Sequence, residues 1–161
     1  MIKKCLITIG VLFFMSCDSK SIFSEYQTIN NGWKKNESID FSFSAPDTIS
    51  KYHLFIQVRN DEKYGFSNLF LITHMNFPNG DVVSDTLEYE MAKPNGEWLG
   101  TGFSSVKESK LWYKENVIFP NSGEYNIQIE HAMRINGSVD GINSLSGIKD
   151  VGIKIEKATL Q

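Results

Sequence analysis

Cysteine is nearly absent from this chain. It occurs twice in 161 residues, as Cys5 and Cys17, which excludes a cysteine-stapled miniprotein. Four prolines among twelve glycines exclude a collagen-like fibre. No excess of basic charge exists: 16 lysines and arginines face 19 aspartates and glutamates, for a net charge of -3 and a pI near 5.6. Such a chain lacks the basic face of a nucleic-acid binder. Helical periodicity never persists beyond about two turns. Only one long apolar run occurs, and it lies at the N-terminus. What remains is a globular composition, 41% hydrophobic and 22% charged, of a length that suits one domain. A chain of this size buries roughly two-thirds of its unfolded surface and needs neither disulfide nor metal to hold a core.

The N-terminal run reads as an address. Lys3 and Lys4 precede the uncharged stretch Cys5 to Met15, and Ser16-Cys17 ends it before the polar Asp18-Ser19-Lys20-Ser21. About a dozen apolar residues is short for a transmembrane helix and suits a signal-peptide core. A small residue directly before a cysteine resembles a bacterial lipobox, in which the cysteine sulfur receives a diacylglycerol. Phe14 and Met15 depart from the commonest form of that motif. The sequence therefore predicts a signal peptide over 1–16 and a lipidated Cys17 with a tether over 17–35. An ordinary secretory signal with an incidental Cys17, or a short uncleaved anchor, is the alternative. Cleavage removes Cys5 and acylation occupies Cys17, so the mature chain has no free thiol. It is also more acidic, because Lys3 and Lys4 leave with the leader.

Beyond the tether the period is two almost everywhere. Ile39, Phe41 and Phe43 alternate with Ser38, Asp40 and Ser42. Leu54, Ile56 and Val58 alternate with His53, Gln57 and Arg59, and Tyr125, Ile127 and Ile129 with Glu124, Asn126 and Gln128. Val151, Ile153 and Ile155 close the chain in the same way. Asn68 to Thr73 is apolar on both faces, as expected of a central strand covered on two sides. Asn79-Gly80 after Pro78 predicts a type I′ hairpin turn, and Pro94-Asn95-Gly96 marks another turn. The expectation is all-β: an antiparallel β-sandwich of seven or eight strands, immunoglobulin-like or jelly-roll-like, in a single domain over 36–161. The polar, glycine-rich stretch from Arg134 to Gly147 is expected to be an exposed loop, and so a candidate contact surface.

Catalytic chemistry is hard to find. His53, His74 and His131 show no metal-ligand spacing. No Gly-x-Ser-x-Gly elbow or phosphate loop occurs. Glu88 and Glu90 fall on the polar side of an alternating strand, which suits a solvated face better than a glycosidase pair. No catalytic residue, metal ligand, cofactor or small-molecule substrate is predicted. Most of the twenty aromatics alternate inward as core, although Trp33, Trp98 and Trp112 lie near turns or strand ends. Asp47-Thr48-Ile49 and Asp85-Thr86-Leu87 each resemble the Asp-Ser/Thr-aliphatic site of Bacteroidetes protein O-glycosylation, which makes Thr48 and Thr86 candidates for modification.

A longer series of segments resembles one family. It comprises Tyr64-Gly65-Phe66-Ser67-Asn68-Leu69, Asp85-Thr86-Leu87 and Gly96-Glu97-Trp98-Leu99-Gly100-Thr101-Gly102. Phe119 to Tyr125, Ile129 to Arg134 and Leu145 to Glu156 continue it. In this order, after a lipobox, they resemble the gliding motility lipoprotein GldH family of Bacteroidetes, with Gly65 and His131 departing from the expected proline and glutamine. The resemblance implies a non-catalytic component of the gliding machinery, linked to type IX secretion and anchored through lipid on Cys17. It implies other gliding or secretion envelope proteins as partners. A periplasm-facing site, on the outer membrane before the inner, is the expected location. Trp98, Gly100, Glu130, Met133 and Arg134 are the expected contact residues. A carbohydrate-binding lipoprotein of the envelope, presenting aromatics such as Trp98 and Trp112, is the alternative.

Overall fold

The structure, a computed structural model, describes residues 21–159. The expected signal peptide and Cys17 lie outside the described residues. Ten strands follow in order: β1 (Ser21–Thr28), β2 (Trp33–Lys34), β3 (Ile39–Ser44), β4 (Tyr52–Asn60) and β5 (Asn68–Asn76), then β6 (Val82–Glu90), β7 (Lys107–Val117), β8 (Glu124–His131), β9 (Ser144–Leu145) and β10 (Ile148–Lys157). Eight are long, and β2 and β9 have two residues each.

The pairing has a simple rule. β1 pairs with β10, β2 with β9, β3 with β8, β4 with β7 and β5 with β6, all antiparallel. The chain is one long nested hairpin whose tip is the β5–β6 turn. Rolling it up adds two pairings, β10 with β4 and β5 with β8. The result is two four-stranded sheets, β1-β10-β4-β7 and β3-β8-β5-β6, with β2-β9 as a small ribbon. That strand order is the jelly-roll form of the sandwich.

Alternation sets the core. Ile39, Phe41, Phe43, Tyr125, Ile127 and Ile129 point inward from one sheet, and Leu54, Ile56, Val58, Val151, Ile153 and Ile155 from the other. Tyr125 stacks on Phe43 at 5.7 Å, and Phe119 meets both rings. The Tyr125 hydroxyl donates to the Asn121 carbonyl (3.0 Å) and accepts from the Asn121 amide (3.2 Å), which ties the β7–β8 turn to the core.

Three expectations need correction. First, β1 (Ser21–Thr28) occupies residues read as tether, so the sandwich takes in residues ahead of 36. Its alternation is weak because it is an edge strand. Phe23 packs on Phe43 while Gln27 donates across to the Asp40 carbonyl, so its inward side mixes apolar and polar groups. Second, β5 buries one face only: Leu69, Leu71, Thr73 and Met75 are inside, while Phe70 and Ile72 are half-buried on the outer face. Third, the β5–β6 turn is a three-residue loop and not type I′. Phe77 donates to Asp81, Gly80 donates to Phe77, and of the turn residues only Gly80 has positive φ (91°). Pro78, with its φ locked negative, forces a type I turn followed by a left-handed glycine. Pro94-Asn95-Gly96 repeats the arrangement, with bonds between Lys93, Glu97 and Gly96.

Nested pairing sorts the connections to two ends. At the end where β1 begins lie the short connections 45–51, 77–81 and 118–123. At the other lie the connections 29–38, 61–67, 91–106 and 132–147. The 132–147 connection is clamped to the 61–67 connection at one point. The Gly147 (φ 86°) carbonyl oxygen accepts from the Asp61 amide at 2.8 Å, and a Cβ there would sit 2.0 Å from the Tyr64 amide nitrogen. Gly147→Ala is therefore expected to lower unfolding free energy by about 3 kcal/mol or more, from clash and strain together. Gly137→Ala, with similar φ but open space around it, should cost only about 1 kcal/mol. Urea unfolding of both variants distinguishes them, and equal losses would contradict the clamp.

Candidate interaction surface at the long-loop end

The long-loop end is built on an aromatic and sulfur cluster. Trp98, half-buried, packs on Tyr64 at 6.2 Å, and Tyr64 packs on Phe66 at 5.8 Å. The Tyr64 hydroxyl donates to the Asn68 carbonyl at 2.6 Å and lies 3.9 Å from the Met133 sulfur. That same sulfur accepts from the Phe70 amide at 3.2 Å. Burial pushes the Tyr64 hydroxyl well above its ordinary pKa, so it remains a protonated donor.

Above this cluster lies an open groove of about 550 Å³ on the outer face of the β3-β8-β5-β6 sheet, overhung by residues 134–138. Phe66, Phe70 and Ala132 form its apolar floor. Asn68, Thr86 and Arg134 supply polar edges, and Arg134 is its one charged lining residue. Asn68 is held by donating to Glu88 at 3.0 Å. Such a lining can hold an apolar segment against a cationic edge. It brings together no acid and base pair, and no group of three potential metal ligands occurs among the described residues.

All five expected contact residues fall at this end, in unequal roles. Arg134 is exposed, and Glu130 is half-exposed beside Ile72 on the outer face. Met133 is 2% exposed and supports the groove from below. Gly100 serves packing: a Cβ there would lie 2.9 Å from the Glu108 carbonyl oxygen. Thr86 is exposed and lines the groove, whereas Thr48 is exposed at the opposite end. Beside Thr48, the Asp47 carboxylate accepts from the Ile49 and Ser50 amides and the Tyr52 hydroxyl, which hold it far below the usual carboxylate range. Sequence reasoning missed Phe66 and Phe70 as groove residues and Tyr64 as the ring that supports them. It also missed Phe103, a fully exposed apolar side chain on the 91–106 connection, whereas the exposed Val139 lies in the stretch expected to be an exposed loop. The two-faced apolar run in β5 was the available signal.

The fold and this surface define an all-β jelly-roll domain with a loop-built groove at one end. The chain belongs to the GldH lipoprotein family, whose model matches residues 21–155. It is 55% identical over 148 residues to the "Gliding motility lipoprotein GldH homolog" of Christiangramia forsetii, covering 92% of this chain and 91% of that one. It is 41% identical over 152 residues to the "Gliding motility lipoprotein GldH" of Flavobacterium johnsoniae, covering 94% of each. Among solved structures, the VP2 subviral particle of infectious bursal disease virus aligns with a TM-score of 0.36 and 19% identity, over 94% of this chain and 38% of that one.

His131 lies beneath the same end, 5% exposed, with its ring edge-on to Trp33 at 5.4 Å. Neither ring nitrogen has a hydrogen-bond partner. Burial is the largest influence and lowers its pKa; Lys35 reinforces the shift and Glu130 opposes it in part. The unfolded chain therefore binds a proton that the folded one refuses. Stability from this group is full above the ordinary histidine value and falls as pH drops below about 6.5, by at most ~1.4 kcal/mol per pH unit. Urea midpoints between pH 7.5 and 5.5 should fall more steeply for wild type than for His131→Gln. Parallel slopes would remove His131 as the cause.

Proposed function

We propose that this chain is a membrane-anchored lipoprotein of the gliding motility machinery, in an apparatus linked to type IX secretion. It acts as a non-catalytic module that holds protein partners at the cell envelope. Diacylglycerol and acyl chains on Cys17 tie it to the membrane, facing the periplasm and on the outer membrane in preference to the inner. Two acyl chains, each buried methylene contributing about 0.8 kcal/mol, give a stable anchor without help from the acidic domain. Family membership supports the setting. One structural observation carries the interaction role. The groove, Arg134, Glu130 and the exposed Phe103 and Val139 gather at one end of the sandwich, while β1 begins at the other. Thr86, inside the groove, and Thr48 are proposed O-glycosylation positions, and a hexose-type mass on the native protein tests them.

The glycan-binding alternative calls for two or three aromatics on one exposed face. Of the three tryptophans, Trp33 is fully buried, Trp98 packs on Tyr64, and Trp112 is 51% exposed. That surface offers one stacking ring in place of a platform.

An in-frame deletion in the source organism should abolish colony spreading and alter the secreted-protein profile. Wild type should restore both, and Cys17→Ala should restore them poorly. Unchanged spreading and secretion in the deletion strain would overturn the assignment.

A further inference from the structure

The short-loop end carries its own exposed apolar side chains, which the folding of the domain does not explain. Ile49, in the 45–51 connection, is 84% exposed. Ile118, in the 118–123 connection, is 45% exposed, and Val82, where β6 begins, is 55% exposed. Ile22, at the start of β1, is 43% exposed. Strand polarity brings these to one end: Ser21 sits opposite Glu156, Tyr52 opposite Val117 and Asn76 opposite Val82. A second groove, of about 880 Å³, opens there, lined by Ile49, Lys51, His53, Trp112 and Lys157 among others. Trp112 stands edge-on to His53 at 5.2 Å and lies 4.4 Å from Phe55, so its indole is braced while half of it stays in solvent. Lys51 and Lys157 are exposed beside it.

We propose that this short-loop end docks on the lipid surface of the membrane that holds Cys17, with Ile49, Ile118 and Val82 entering the interfacial layer and Trp112 lying at headgroup level. The inference rests on the lipid-anchored reading above and adds which face of the domain meets the bilayer. Chain length supports it. Three residues separate Cys17 from Ser21, and the four Cα-to-Cα steps reach at most about 14 Å. The domain is thereby restricted to the neighbourhood of the surface, with β1 starting at the end nearest the anchor. Side-chain chemistry supports it too. Isolated aliphatic tips, an amphipathic indole and lysines whose stems lie along apolar surface while their ammoniums reach phosphates are the residues that suit a membrane interface. The strands, about nine residues long, then hold the long-loop end about 30 Å further out. That end also exposes apolar side chains, but this distance keeps them off the anchoring leaflet and free for a protein.

Because Cys5 and Cys17 are the only cysteines, single-cysteine labelling tests the orientation. The full chain is produced in its natural host, purified as the mature protein and reconstituted into phosphatidylethanolamine and phosphatidylcholine vesicles. Wild type, Ile49→Cys, Ile118→Cys and Val139→Cys are treated with a thiol-reactive fluorophore, and the vesicles carry a quencher in the upper acyl chain. The expected result is no label on wild type, quenching at positions 49 and 118, and none at 139. Equal quenching at 49 and 139, or none at 49 and 118, with Cys17 blocked in wild type, overturns the orientation alone. Label entering wild type at Cys17 overturns the anchoring reading and the orientation with it.

Discussion

Each of the two sheets has one face that water must not reach, and covering those faces against each other governs the rest of the molecule. Every fully buried aliphatic or aromatic side chain on them contributes roughly 1.5–3 kcal/mol, and Leu54, Ile56, Leu71, Ile127, Val151 and Ile153 are all fully buried. A one-residue slip in any strand would turn its apolar set outward, so the alternation fixes register. Pairing inward from the two ends of the chain then gives the nested hairpin, and rolling it up brings β10 onto β4 and β8 onto β5. Gaps between side chains are filled by rings: Phe43, Phe119, Tyr125 and Tyr52 form a contiguous aromatic cluster.

With the core set by the strands, the connections are free to differ. Three short ones close the end at which β1 begins; at the opposite end Gly147 and Met133 tie the 132–147 connection to Tyr64, on which Trp98 packs, and β2–β9 holds the 29–38 connection. The molecule thus has two ends of different character. One carries a few aliphatic tips beside Trp112, and the other carries a groove and two long loops tipped by Phe103 and Val139. A lipoprotein that must be held at a membrane and still present a surface needs such a division. Between the ends, the outer face of the β1-β10-β4-β7 sheet is self-covered. Arg59 lies over Tyr26 at 4.0 Å and Lys110 over Phe55 at 3.9 Å, with Glu108 and Glu156 pairing the two cations. That layer satisfies its charges internally.

The strands were legible in the sequence where apolar and polar residues alternate, as in β3 and β8, with one face buried and the other wetter, and in β10; β4 keeps the alternation although Phe55 and Gln57 on its outer face are also buried. β1 was not, because an edge strand can place Gln27 beside Phe23 on one side. β2 and β9 were invisible, since two residues carry no period and Trp33 finds Leu145 across more than a hundred residues. The end of the molecule that bears the groove was legible through short motifs around Trp98 and Arg134. The division of labour within those motifs was not. Gly100 and Met133 act on other protein groups and not on solvent, which only the packing reveals. Tyr64 and Phe70 join the site through contacts spanning more than sixty residues, and no local pattern records them.

Site-specific photocrosslinking in living cells tests the central claim most directly. A photoreactive residue is placed at Phe103 or Val139 on the long loops, and at Ser42 or Ser24 on the outer sheet faces. Discrete protein adducts from 103 and 139, absent from 42 and 24, are the predicted result. Adducts confined to the sheet faces would contradict the account.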